Sequence, residues 1–346
     1  MNDNATPVRG RQLELKSKGR NIMRVLKAFV AAILVTAAWT CPAMAQNYPD
    51  KPVKVILPFP AGTGPDAVMR QVADKLTRWW GQPVTIDNRP GAHGWTAVEA
   101  AKKSAPDGYT MLQIDNLLFA LQPHVFRRLP FDPIKDFEPV SPLYSTHYFV
   151  TVAANSSWNK MSDLVAAAKA KDGGLTYGSS GVASHMHLGG AMLERATGTT
   201  MTHVPNTDTP QNFVSVANGE IGWAFGTAST SGPMYRAAKI KYLALSAPQR
   251  HPNFPDVPTV SEAIGVPNFE LKSWVALFAP RGTPKPVIDR INTDIARALA
   301  ERDVSERMIA VGFSPWAAPP ADLAKALEDD GKLFGEIAKT ENISLD

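Results

Sequence analysis

One pattern restricts this chain more than any other: a short apolar strand that breaks at a glycine turn and reopens as a helix. Residues 55–67 read VILPFPAGTGPDA, and residues 177–188 read YGSSGVASHMHL. Glycine permits the sharp reversal, and strand–helix–strand succession predicts parallel strands joined by right-handed crossovers. The first such series runs through KVILPF (54–59), a helix with Met69, Val72, Ala73 and Leu76 on one face, VTID (84–87), the helix TAVEAAKKS and YTMLQI (109–114). Prolines at 123, 130, 133, 139 and 142 predict an irregular surface stretch over about 122–142. A second series begins at HYFVTVAA (147–154) and continues through SDLVAAAKA, LTYGSS, a helix opening near 184, THV, PQNFVSVANG, IGWAFG and KYLALSA. Thr259 and Glu262 have capping-box spacing, SWVALFAP (273–280) is an apolar strand, and Thr283-Pro284 predicts a cap and first-turn proline for the closing helices.

The length of 346 residues gives room for two domains. A pI near 9 would ordinarily raise the question of nucleic acid. The N-terminus removes that reading. From Met23 the chain runs MRVLKAFVAAILVTAAWTCPAMAQ, with basic residues, an apolar run too short to span a membrane, and Ala43-Met44-Ala45, the layout of a secretory signal with Met23 as the plausible start. Residues 1–45 hold seven of the 36 Lys and Arg and two of the 32 Asp and Glu, so the mature chain would carry 29 basic against 30 acidic residues. Cys41, the one cysteine, would leave with the signal, and with it any disulfide, thiolate metal site or cysteine nucleophile. The expected location is the periplasm.

Both glycine turns are suited to an anion, since they place unpaired N–H groups at the positive end of a helix. Gly62, Gly64 and Ala67 also spell G-x-G-x-x-A, and Asp87, about twenty residues on, imitates the ribose-binding acid of a dinucleotide fold. Pro60 and Pro65 stiffen the turn and export removes the chain from a nicotinamide pool, so no cofactor is expected. In the second turn Ser179, Ser180 and Ser184 offer hydroxyls. A hydrolase would need G-x-S-x-G, and Gly178-Ser179-Ser180-Gly181 is one residue short. His185 and His187 are two apart and leave a helix on different faces, so no metal is expected. His93, in the turn NRPGAHGW, and Asp115-Asn116, at a strand end, are further candidates for ligand contact. Asn206 and Asp208 lie in a strand-to-helix loop where Asp208 also suits a cap. Trp223 and Trp274 read as core.

With those residues in place, the chain resembles the periplasmic solute-binding receptors of the tripartite tricarboxylate transporter, the Bug family. The resemblance is carried by Tyr48-Pro49-Asp50-Lys51-Pro52, PFPAG (58–62), Asp66 with Arg70, NRPGA (88–92), APDGYTML (105–112), DFEPV (136–140), YGSSG with His187, HVP (203–205), DVPTVSEAIG (256–265) and the run from Trp274 to Pro284. It implies an α/β, two-lobed periplasmic binding protein of type II character, each lobe a mainly parallel sheet flanked by helices. Residues 46–147 with 272–346 would form one lobe and 148–271 the other. The implied activity is capture of a small organic carboxylate, not catalysis, by a monomer that serves membrane transporter subunits and binds no nucleic acid; a sensor for signalling and an exported hydrolase are the alternatives. One ligand carboxylate would be gripped by the loop of Ala61, Gly62, Thr63, Gly64 and Asp66 and by the loop of Ser179, Ser180, Ser184 and His185, with His93, Asp115, Asn116, Asn206 and Asp208 around the rest of the cleft. Three departures bear on specificity: Thr63 within AGTGPD, Asn206-Thr207-Asp208 after HVP, and Asp115-Asn116. They lead to the expectation of a ligand with one carboxylate at the glycine loops and a hydroxyl, amine or aromatic ring at its distal end.

Overall fold

The computed structural model describes residues 48–170, 173–206 and 209–346. The expected signal segment and Asp208 lie outside the described residues.

Lys51–Asp346 forms one compact unit holding two sheets. The first half of sheet one is the expected series: β1 (Val53–Leu57), α1 (Gly64–Trp80), β2 (Val84–Asn88), α2 (Trp95–Lys102) and β3 (Thr110–Asp115). Helix α1 buries Val68, Met69, Val72, Ala73, Leu76 and Trp80, the stripe read from its spacing, and ends on Gly81 at φ +65°, where the left-handed conformation lets its N–H reach the Thr77 carbonyl. β1 pairs in parallel with both β2 and β3. A π-helical turn (Leu117–Leu121) and the short α3 (Gln122–Val125) follow.

The proline-rich stretch is not irregular throughout. β4 (Phe137–His147) runs through Pro139 and Pro142, paired antiparallel with β10 (Lys272–Pro280). The pairing slips where the prolines fall, Ala276 facing Pro142 and Phe278 facing Pro139, so two bulges absorb residues that cannot donate to the ladder. On the other side β11 (Ser314–Pro315) pairs only with Ser145 and Tyr144, so both prolines also lie along an open edge.

The strand expected at 147–154 is divided between sheets. β4 ends at His147, and β5 (Phe149–Ala153) begins sheet two, with α4 (Met161–Ala170), β6 (Thr176–Ser179), α5 (His185–Thr197), β7 (Thr202–Pro205), α6 (Thr209–Ala217), β8 (Trp223–Gly226), α7 (Ala228–Arg236), β9 (Ile240–Leu245) and α8 (Val260–Ile264). Helix α7 carries Gly232 and Pro233, two breakers that hid it from pattern reading; Pro233 removes one backbone bond from an otherwise capped helix. α9 (Lys285–Ala300), α10 (Arg302–Ala310) and α11 (Pro320–Thr340) close the chain on sheet one. The Thr259–Glu262 capping box forms as expected. At α9 it is Pro284 that occupies the cap position, while the Thr283 hydroxyl donates to the Pro280 carbonyl.

The strand orders are β11-β4-β10-β3-β1-β2 and β7-β6-β8-β5-β9. Both sheets are mainly parallel with a few antiparallel members: β10 runs against β3 and β4, β11 against β4, and β5 against β8 and β9. The physical reason is the route of the chain, because the strands that pass between sheets return in the opposite sense. They pass at Tyr148 and Leu271, and the fully buried Ser246 joins the two crossings. Its hydroxyl accepts the Tyr148 N–H at 3.0 Å and donates to the Leu271 carbonyl at 2.7 Å. Helix α5 serves both hydrophobic clusters, with Leu188 and Ala191 packed among residues of sheet one and Met186 and Leu193 among those of sheet two. Gly189 and Gly190 let it press onto sheet two, since a Cβ at either would overlap Leu271, Phe225 or Tyr177.

Replacing Ser246 by Ala strands a buried N–H and a buried carbonyl where the chain crosses twice. Chemical denaturation should register a loss of about 1–3 kcal/mol; an unchanged midpoint would show that the crossings do not rely on it.

Candidate functional site

Parallel pairing places the ends of β1 and β3 at the same edge of sheet one, where a ligand meets helix N-termini. The turn after β1 is shaped from within by Asp66, which is almost fully buried. Its Oδ2 accepts the Gly62 N–H and Arg70 Nε, each at 2.9 Å, and its Oδ1 accepts Asn88 Nδ2 at 2.9 Å. Burial alone would raise its pKa; the bonds from Arg70, Gly62 and Asn88 and the charge of Arg70 outweigh it and hold the carboxyl below its ordinary value. Gly62 sits at φ +81°, which suits glycine. Thr63 is at the cap position of α1, but its hydroxyl donates to the Pro60 carbonyl at 2.7 Å. What α1 presents outward are the N–H groups of Gly64 and Asp66, which have no carbonyl one turn back, with Pro65 between them. Ala61 is exposed at the tip.

A cavity of about 620 Å³ opens on this turn, lined among others by Gly62, Gly64, Val68, Ser229, Met308 and Phe313. Ser229 belongs to the first turn of α7, on sheet two. Thr227 and Thr230 form a capping box there, so Ala228 and Ser229 carry the unpaired N–H groups. Two helix N-termini from different sheets therefore border one space. The α7 turn is a functional candidate that sequence reading missed. Its signal was present, a strand running into Thr-Ala-Ser-Thr, but without the glycine pair that marked the other turns. Phe313, stacked on Tyr144 at 4.3 Å, gave no local signal.

The YGSSG turn is locked from inside. Ser179 is fully buried, and its Oγ lies 2.6 Å from His203 Nε2, accepts the Gly181 N–H and donates to the Gly181 carbonyl, each at 3.0 Å. The Ser179–His203 spacing is that of a nucleophile and a base, yet the serine has no exposed oxygen to meet a substrate. Ser180 is exposed at the tip, and Ser184 caps α5 by accepting the His187 N–H. His187 Nδ1 accepts the Ala183 N–H and its ring stacks on His203 at 3.9 Å.

His185 reaches across to sheet one, with its Nε2 2.8 Å from Asn116 Oδ1. Asn116 is wholly buried, and its Nδ2 donates to Asp330 Oδ2 at 2.8 Å and to the Lys272 carbonyl at 3.2 Å. Trp274 Nε1 donates to the same Asp330 oxygen at 2.7 Å. Asn116 thus lies inside the join between the sheets rather than on a ligand-facing wall. Its neighbour Asp115 is half-buried and accepts the Leu118 N–H at 3.0 Å. His93 is drawn into an aromatic group with Trp95 and Phe126, and its carbonyl accepts Gln122 Nε2. The Asn206 N–H extends the β6–β7 ladder to the Ser179 carbonyl. Asp87, the ribose-site imitator, is paired with Arg89 at 2.9 Å.

Three histidines here are held neutral. Burial pushes His185 down to about 3 and lowers His187, and burial with the neighbouring His187 pushes His203 down to about 4. Among the described residues no group of His, Cys, Asp and Glu could hold a metal, and no helix is long and apolar enough to cross a membrane.

Residues 68–343 match the profile of a family described as the tripartite tricarboxylate transporter family receptor. A UPF0065 protein of Bordetella bronchiseptica is 31% identical over 301 residues, 87% of this chain and 89% of its own. Among solved structures, an R. palustris protein with adipate superposes with TM-score 0.71 at 29% identity, covering 86% of this chain and 99% of its own. MatC from Rhodopseudomonas palustris with bound malate gives 0.67 at 28%, covering 84% and 99%.

Asp66→Ala should lower stability by about 2–3 kcal/mol in chemical denaturation, because it removes charged hydrogen bonds and leaves the Gly62 N–H unmatched; Asp66→Asn should recover part of the loss. The histidines set a pH dependence. The unfolded chain takes up protons below about 6.5 that the folded chain refuses, so the melting temperature should fall as pH drops from 6.5 toward 4, and His203→Gln should flatten that slope.

Proposed function

The chain belongs to the tripartite tricarboxylate transporter receptor family, a family of periplasmic solute-binding receptors, and from that premise we propose that it captures a small organic carboxylate and delivers it to membrane transporter subunits. The observation that carries the reading is the pair of helix N-termini, Gly64 on sheet one and Ser229 on sheet two, bordering a single cavity. Unpaired N–H groups at the positive ends of two helices form strong charge-assisted bonds to a carboxylate, and neither helix supplies the whole set. The bound adipate and malate of the two structural relatives support that ligand class.

In this proposal the sheets act as lobes that meet at Tyr148, Leu271 and Ser246, and a ligand bonded to both favours their approach. The exposed Ala61 and Ser180 and the first turns of α1, α5 and α7 are the ligand-facing set. Asp66, Ser179, Ser184 and Asn116 hold that set in shape. The protein acts as a monomer, exported by the segment ending at Ala45, with no chemistry performed on the ligand.

Thermal shift of the mature chain against a panel of carboxylates, amines and neutral sugars tests this. Carboxylates alone should raise the midpoint, by about 4 kcal/mol of added stability at a thousandfold excess over Kd. The carboxylate should be recovered chemically unchanged. Stabilisation by amines or sugars only, or conversion of the carboxylate, would overturn the reading.

A further inference from the structure

A second cavity, of about 630 Å³, shares no lining residue with the space between Gly64 and Ser229. The π-helical turn and α11 supply Phe119 and Leu327 to its wall, and the loop that follows α3 supplies Phe126, Phe131 and Ile134. Ile134 is 59% exposed, more than any other large apolar side chain among the described residues. The space persists because Ala120, Ala324 and Gly331 are small where they line it; a Cβ on Gly331 would meet nothing closer than the Ala120 carbonyl, at 3.9 Å.

The loop is tied so that it cannot settle into this space. Asp132 accepts the N–H groups of Ile134 and Lys135, each at 3.0 Å, while Asp136 accepts the Asp132 N–H at 2.7 Å and pairs with Lys102 at 2.8 Å. At the other end the C-terminus holds it, with the Leu345 N–H donating to the Val125 carbonyl at 2.9 Å and the Asp346 carboxylate accepting the Arg127 N–H. The volume falls within the roughly 300–1,000 Å³ of small-molecule sites, and apolar space of this kind is better filled by an apolar group than by water.

Charge at the rim selects the polar end of such a ligand. Two acids line the cavity, and both are spent within the chain: Glu328 on Lys332 at 2.5 Å and Asp132 on Lys135 at 2.7 Å. Arg127 lines it as well, with its side chain 89% exposed and its Nε no closer than 4.0 Å to Asp346. The charge left without a partner at hydrogen-bond distance is therefore positive.

We propose that this cavity is a second ligand site, taking an amphiphilic monocarboxylate whose medium-length acyl chain or single aromatic ring lies among Phe126, Phe131 and Leu327 while its carboxylate stays at the surface beside Arg127. The site is separate from carboxylate capture between the sheets and stands or falls independently of it.

Isothermal titration of the mature protein with butanoate, hexanoate and octanoate tests the proposal. Apolar burial predicts affinity rising about two- to fourfold per methylene. Octanoate should bind more tightly than octanol, and octanol more tightly than octylammonium. Arg127→Gln should cost octanoate about fivefold, the size of an exposed ion pair, and leave octanol unchanged. Ala324→Phe, which fills the cavity, should abolish binding of both probes without altering the thermal shift that short carboxylates give through the cleft; Gly331→Leu fills it from two turns further along α11 if the first variant fails to fold. No saturable octanoate binding, octanoate binding that survives both filling variants, or octylammonium bound as tightly as octanoate would overturn the proposal. So would a concentration-dependent dimer in sedimentation velocity that Ala324→Phe dissolves, because the cavity would then belong to a contact between copies.

Discussion

One buried amide connects parts of the molecule that are remote in sequence. Asn116 donates to Asp330 on α11 and to the Lys272 carbonyl at the start of β10, and its oxygen meets the His185 ring at the head of α5. Since that oxygen accepts, His185 Nε2 must carry the proton, which agrees with burial holding the ring neutral. A carboxylate, an amide, an imidazole and an indole are thereby satisfied in one buried chain, where an unmatched member would be costly. The arrangement sets where the first turn of α5 points relative to sheet one.

The same division between shaping and binding recurs in each turn. Asp66 uses its carboxylate to hold Gly62, Arg70 and Asn88; Ser179 uses its hydroxyl to close the YGSSG turn; Ser184 and Thr227 cap their helices. These are the side chains that look most like ligand contacts in a sequence, because they are polar, small and adjacent to glycine. Once they are spent on the backbone, an anion is left mostly with main-chain N–H groups, which hold a carboxylate without dictating what it is attached to.

Much of the architecture was legible from periodicity and turn chemistry. The α1 stripe, the β1–β2–β3 series, the Thr259–Glu262 box and the apolar strand now seen as β10 all form near the expected positions, because each rests on residues close in sequence. The failures have different causes. β4 tolerates Pro139 and Pro142 because it bulges at both against β10, a strand distant in sequence, whereas α7 keeps Pro233 inside a helix whose start is doubly capped by its own Thr227 and Thr230. The antiparallel members of the sheets depend on how the chain travels between them, which no local pattern encodes.

The amino-acid sequence by itself determined an α/β chain with glycine turns before helix N-termini, since φ freedom, capping and apolar spacing are properties of a few neighbouring residues. Tertiary structure alone decided which N–H groups remain open, because Asp66 reaches back to Gly62 and Thr63 turns to Pro60 only when the turn is folded. It also decided that Asn116 is buried in the join between the sheets while Asp115 holds the Leu118 N–H, although the two are adjacent. Successive residues at a strand end point to opposite faces, and what lies on each face is set by helices and loops from distant parts of the chain.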